Sequence, residues 1–187
     1  MCSSDLRMGR TESRCHGFSL IELMVTISVL VILLAIGVPS FSQLLSSNRA
    51  SALTNDLQFA LKFARGEAIK RGAPVSLCPR AAGNADAPDS AVCSDAAADW
   101  RNGWVVISRS GCVDLADCER LLDTPVDASA LTVRYGQPLV NFNASGRMLT
   151  GIGGTFAICD PGASDSLRRV IIAPSGRSRL EKGGDCP

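Results

Sequence analysis

Residues 17–41, GFSLIELMVTISVLVILLAIGVPSF, are apolar almost throughout, yet a glutamate, Glu22, stands fifth after the opening glycine. The run from Phe18 to Val38 has the length a helix needs to cross a bilayer core, about 20 residues at about 1.5 Å each. Arg7, Arg10, Arg14 and His16 precede it. That basic flank holds the N-terminus in the cytoplasm and sends the rest of the chain outward. A cleavable secretory signal has a shorter apolar core, about 7 to 15 residues, with its small-residue cleavage site after the core. Here the small residue, Gly17, comes first.

The order of basic leader, Gly17, Phe18 and an apolar helix with Glu22 as its fifth residue closely resembles the processing motif of type IV prepilins and type II secretion pseudopilins. The resemblance implies that a prepilin peptidase cuts after Gly17 and methylates Phe18. The expected organisation is then a leader at 1–17, an N-terminal helix at 18–71 that spans the membrane over about 18–38, and an exported β-rich head at 72–187. Met1 and Met8 both precede the cut, so either start leaves the same mature chain. A lone carboxylate near mid-membrane costs on the order of 2.5 to 3.5 kcal/mol and draws a partner. Cleavage frees the α-amino group of Phe18 at the same depth, and the resemblance implies that Glu22 pairs with that amine on the adjoining subunit. The competing reading is a carboxylate that snorkels to the interface from the helix end.

Composition agrees with export. The 187 residues are consistent with one domain plus an anchor. Without residues 1–17 the chain holds 16 basic and 16 acidic side chains. The charge is uneven: residues 72–133 hold four basic and nine acidic groups, whereas residues 134–187 hold seven and four. Of eight cysteines, Cys2 and Cys15 fall in the leader. The other six, an even number in an exported chain, read as a disulfide framework. Fifteen connectivities are formally open. Nearest-neighbour pairing is the expectation: Cys78–Cys93 and Cys112–Cys118 close acidic loops, and Cys159–Cys186 staples the tail to a strand. No CxxC pair occurs and the single histidine leaves with the leader, so no metal site is expected.

Beyond Pro39, which removes one helical hydrogen bond and should bend the helix, the apolar stripe continues. Leu53, Leu57, Ala60, Leu61, Ala64 and Ala68 recur at helical spacing, and Gly72 and Pro74 give the stop signal. On the polar face Glu67 and Arg71 stand at i,i+4, which reads as a solvated pair. From Pro74 onward short runs, PVSLC, GWVVIS, LTVRY, LVNF, TFAIC and RRVIIA, alternate with Gly, Pro, Asn and Asp, the pattern of antiparallel strands and turns. Residues 81–99 read as a surface loop held by a disulfide. NASGRM at 143–148 and PSGRSR at 174–179 echo each other as Ser-Gly hairpin turns. The class is α+β, a long helix laid on an antiparallel sheet. It agrees with the type IV pilin fold, and ARGEAIKRG, VSLCP, DWRNGWVVI, GGTFAICD and RRVIIAPSGRSRL resemble the GspH/FimT branch of minor pilins and pseudopilins. Trp100 and Trp104 belong to this pattern and are read as packing residues.

Catalysis is not expected. With His16 lost there is no imidazole base or relay, the cysteines pair, and no GxSxG elbow, trusted carboxylate pair or phosphate loop is present. No cofactor is implied. Assembly and binding remain. The resemblance implies other major and minor pilins or pseudopilins as partners, the inner membrane as the first location and a periplasmic or extracellular filament as the second. Gly176–Arg179, GRSR, resembles the GRxR tail of FimT-type DNA-binding pilins. In an extended strand Arg177 and Arg179 share a face, and each guanidinium takes phosphate oxygens bidentately. Lys182 and one of Arg168 and Arg169, assigned here as Arg168, widen the patch. Double-stranded DNA is thus an expected partner in DNA uptake. The alternative is a secretion pseudopilin whose arginines only keep an edge strand soluble.

Overall fold

Helix α1 runs from Leu20 to Arg71 and is closed at each end by its own local chemistry. The Ser19 hydroxyl accepts a hydrogen bond from the Glu22 N–H at 3.2 Å, so SLIE is a capping sequence with Glu22 at its third helical position. At the other end Gly72 turns left-handed, φ 62°. The N–H groups of Gly72 and Ala73 reach back to Ile69 and Ala68, both at 3.3 Å, which satisfies the last carbonyls. Arg71 then donates to Glu67 at 2.8 Å and to Glu119 at 2.5 Å, fastening the helix end to the head. Hydrogen bonding, chiefly from Arg71, holds the Glu67 carboxyl below its ordinary range.

The computed structural model describes residues 18–81, 93, 100–126, 131–161, 167–184 and 186, so the leader with Gly17 and most of the expected 81–99 loop lie outside them. The chain forms two compact units, Met1–Gln43 and Leu44–Pro187. In the first, Leu20–Gly37 is long and apolar enough to cross a membrane, with mean hydropathy 2.7. Every large apolar side chain from Leu20 to Ile36 is more than half exposed, so this stretch has no protein core of its own.

The second unit holds the core. Its strands are β1 (Val75–Pro79), β2 (Gly103–Ser108), β3 (Arg120–Pro125), β4 (Thr132–Arg134), β5 (Val140–Phe142), β6 (Gly154–Cys159), β7 (Arg168–Ile172) and β8 (Ser178–Lys182). They form two antiparallel four-stranded sheets, in the orders β3-β2-β1-β5 and β4-β6-β7-β8. Leu53, Leu57, Ala60, Leu61, Ala64 and Ala68, the stripe expected from spacing, are all buried, and they join Val75, Leu77, Val106, Phe156, Val170 and Ile172 in one cluster. Trp100 and Trp104 lie fully buried in it.

Strands β1 and β2 are buried along their whole length because both faces are covered. Leu77, Trp104 and Val106 join the helix-side core. Cys78, Val105 and Ile107 join a second cluster with Cys93, Cys112, Cys118 and Leu115. Disulfides Cys78–Cys93 and Cys112–Cys118 lie in that cluster, and Cys159–Cys186 ties the tail to β6. These are the nearest-neighbour pairs. The second sheet is covered on one side only, so β7 alternates buried and half-buried residues.

Strand β3 had no mark in the sequence, whereas the extended edge strand expected around Arg179 is β8. β3, RLLDTP, mixes charges with leucines on the edge of the first sheet. β8, SRLEK, is an exposed edge strand of the second.

Candidate functional site

The two echoing turns have one geometry. In the first, Gly146 N–H donates to the Asn143 carbonyl at 2.8 Å and Asn143 N–H to the Arg147 carbonyl at 2.9 Å. In the second, Gly176 donates to Ala173 at 2.8 Å and Ala173 to Arg177 at 2.9 Å. Both glycines are left-handed, φ 71° and 78°, a conformation that glycine adopts at no steric cost. The Asn143 side chain accepts from the N–H groups of Ser145 and Arg147, both at 3.0 Å, and fixes the first turn.

The turns also pack on each other. Met148 N–H donates to the Pro174 carbonyl at 3.1 Å, and a side-chain carbon placed on Gly176 would stand 2.1 Å from the Gly146 carbonyl oxygen. That same oxygen accepts from Arg65 Nε at 2.9 Å, so one helix arginine clamps the pair of turns to α1. Beside this clamp runs a groove of about 400 Å³ lined by Lys62, Arg65, Gly66 and Ile69 of α1 and by Gly176, Arg177 and Ser178. Three of those seven residues are cations and none is acidic.

The expected DNA-binding residues are not all brought together. Arg177 is exposed at the close of the turn. Arg179 is exposed on β8 and meets Glu181 at 3.1 Å, an ion pair that offsets part of its charge. Lys182 is exposed as well, but an odd step along the strand from Arg179 sends it to the opposite face. Arg168 is 8% exposed. Its guanidinium donates to the Ser47 hydroxyl at 3.0 Å and to the Leu167 carbonyl at 3.2 Å, so it ties β7 to α1 and leaves the expected patch. The neighbour that shares a face with Arg179 is Arg169, through the pairs Ile171–Arg179 and Arg169–Glu181. Sequence reasoning missed Lys62 and Arg65, because nothing local to the helix marks their approach to a turn more than a hundred residues away. At the other end, Gly17 is outside the described residues, Phe18 is exposed, and Glu22 occupies the first turn of α1.

The profile of the family described as type II transport protein GspH matches residues 53–176. The chain belongs to the GspH family. The profile of the prokaryotic N-terminal methylation motif matches residues 13–38, a span that holds Gly17, Phe18 and Glu22. The GspH match ends at Gly176, so Arg177, Arg179 and Lys182 follow it in the chain. A crystal structure of the type IV minor pilin FimU of Pseudomonas aeruginosa strain PAO1 is similar, with 24% identity, a TM-score of 0.53, and 72% of this chain and 89% of that chain covered. A second crystal form of that pilin gives 23% identity and a TM-score of 0.47 over 70% of this chain and 91% of that one. No curated protein matches the chain. This GspH-family chain therefore has the type IV pilin fold.

Proposed function

We propose that the chain is a minor subunit of a type IV pilus-like filament that holds DNA without sequence preference at its Gly176–Arg179 turn. On this reading a prepilin peptidase removes residues 1–17 and methylates Phe18, residues of about 18–38 anchor the precursor in the inner membrane with its N-terminus in the cytoplasm, and residues 72–187 are exported. Glu22 meets the freed amine of an adjoining subunit, and the filament carries the head outward for DNA uptake.

The observation that carries the DNA reading is the surface at the second turn. Arg177 is exposed there, and among the described residues it makes no ion pair. Arg179 stands two residues on, beside the half-buried Arg169. No exposed aromatic ring accompanies them on the turn or on β8, which favours contact to phosphates over stacking on bases. Binding of this kind is salt-sensitive and weak, about 10⁻⁴ to 10⁻⁶ M.

The test is a gel shift of duplex DNA by the purified full chain in detergent, comparing wild type with the double variant Arg177→Ala, Arg179→Ala. The wild type is expected to retard the duplex and the double variant to release it. Equal retention by both removes this turn from the reading. The type II secretion description of the matched family favours a second reading, a pseudopilin with a purely structural role. That reading expects no shift by either protein.

A further inference from the structure

We propose that the groove between α1 and the second Ser-Gly-Arg turn is a phosphodiester-binding subsite, with Lys62 and Arg65 as its helix-side contacts. The inference rests on the DNA-binding reading and adds to it a second wall that no motif marks.

Lys62, Arg65, Gly66 and Ile69 stand at i, i+3, i+4 and i+7, one stripe of the helix surface. The facing wall is Gly176, Arg177 and Ser178. A groove of about 400 Å³ is many times the roughly 30 Å³ share of one water, so a stretch of hydrated sugar-phosphate chain has room in it.

The chemistry of the lining selects an anion. Lys62 is exposed, and among the described residues its ammonium makes no ion pair or hydrogen bond. The carboxylate of Glu67 is on another side of the helix and is already engaged by Lys70 at 3.3 Å and by Arg71 at 2.8 Å. Arg65 is held by one edge. Its Nε is taken by the Gly146 carbonyl, while its terminal nitrogens make no hydrogen bond among the described residues. A guanidinium already oriented in this way loses less side-chain freedom when it binds phosphate oxygens. Gly66 leaves the floor open, since a side-chain carbon built there meets nothing within 4 Å. The single large apolar member, Ile69, offers no ring on which a base could stack. Contact is thus to the backbone of the nucleic acid.

Gly66 supplies the test. Gly66→Glu adds a carboxylate to the groove without removing a cation, and Gly66→Gln adds a side chain of the same bulk without the charge. Binding of a short fluorescein-labelled duplex is measured by anisotropy, with the full chain in nanodiscs of zwitterionic lipid and salt varied from about 50 to 200 mM. Gly66→Glu is expected to weaken binding roughly fivefold to tenfold. Gly66→Gln is expected to weaken binding less than Gly66→Glu, since it lacks the repelling charge. Lys62→Ala, at an exposed position that does not endanger the fold, lowers the slope of log K against log salt by about 0.9. If Lys62→Ala and Gly66→Glu both bind like wild type while the Arg177, Arg179 double variant does not, the groove is overturned and the DNA reading stands. Absence of binding by the wild type overturns the DNA reading, and the subsite with it.

Discussion

Gly176 shows how a single missing side chain positions the candidate site. Its φ of 78° lies in the left-handed region, and the Gly146 carbonyl oxygen occupies the place of its absent side-chain carbon at 2.1 Å. Gly72 is also left-handed, at 62°, but nothing stands within 4 Å of its missing carbon. Alanine at Gly72 therefore incurs only the backbone penalty, about 1 to 2 kcal/mol. Alanine at Gly176 incurs that penalty and forces the two turns apart, for a total of about 3 kcal/mol or more. Urea midpoints of the two variants should differ in that order, and equal midpoints would mean the turns are not pressed together. Tyr135 is a second residue whose surroundings set a measurable property. Its ring stacks on Phe156 at 4.0 Å and meets the edge of Trp100 at 5.8 Å, and burial pushes its phenol up to about 12. Unfolding releases the phenol to ionise near pH 10. The neutral ring thus contributes fully below pH 10, and its contribution falls away as pH rises from about 10 to 12, by at most about 3 kcal/mol. Wild type should lose stability over that window faster than Tyr135→Phe. Because Tyr135 is the one tyrosine in the chain, absorbance of the phenolate reports it without overlap.

Helix α1 carries two faces whose difference a melt can read. Leu57 is fully buried in the head core, whereas Phe59, two residues on, is 60% exposed. Leu57→Ala should cost about 2 to 5 kcal/mol and Phe59→Ala no more than about 0.5, measured by thermal unfolding. A larger loss at Phe59 would reverse the assignment of faces. This much was legible from residue spacing, since a 3.6-residue period states which side of a helix is covered whatever covers it. The strands β1, β2, β6 and β7 were legible too, as β-branched runs between turn residues. β3 was not, because an edge strand is half solvated and mixes Arg and Asp into a run that a central strand keeps apolar. Arg168 and Arg169 show the same limit at finer grain. Alternation states that adjacent strand residues oppose each other, but which one turns inward depends on where the sheet meets the helix, and here Ser47 takes Arg168. The clamp of Arg65 on Gly146 spans 81 residues, a separation that no local pattern reports. What the sequence could show was that the two turns are alike, and what only the fold shows is that they touch.

At the scale of the whole molecule the two units divide the physics between them. Leu44–Pro187 has a buried apolar core of its own, while the apolar residues of Leu20–Gly37 are left for lipid or for other subunits. A change in the first unit should therefore leave the melting of the second untouched and act on assembly alone. Glu22 is the residue at which this is decided, because its position in the helix offers its carboxylate a local role beside the proposed intermolecular one. At the third helical position behind Ser19, glutamate completes a capping sequence, and a negative charge in the first turn suits the helix dipole. Glutamine also serves in a capping box but carries no charge. If capping were the whole role, Glu22→Gln would enter filaments like wild type. If Glu22 neutralises the amine freed at Phe18, the substitution leaves an unpaired cation at membrane depth, and incorporation should fall roughly tenfold or more. Filaments sheared from cells, blotted for the subunit and compared with its total amount, measure the first quantity. Mass spectrometry confirms that Phe18 is still the N-terminus of the variant, and the unchanged melting temperature of its head shows that the loss is one of assembly. Incorporation of Glu22→Gln at the normal rate, with Phe18 exposed as usual, would leave the carboxylate as a cap and remove it from the filament contact.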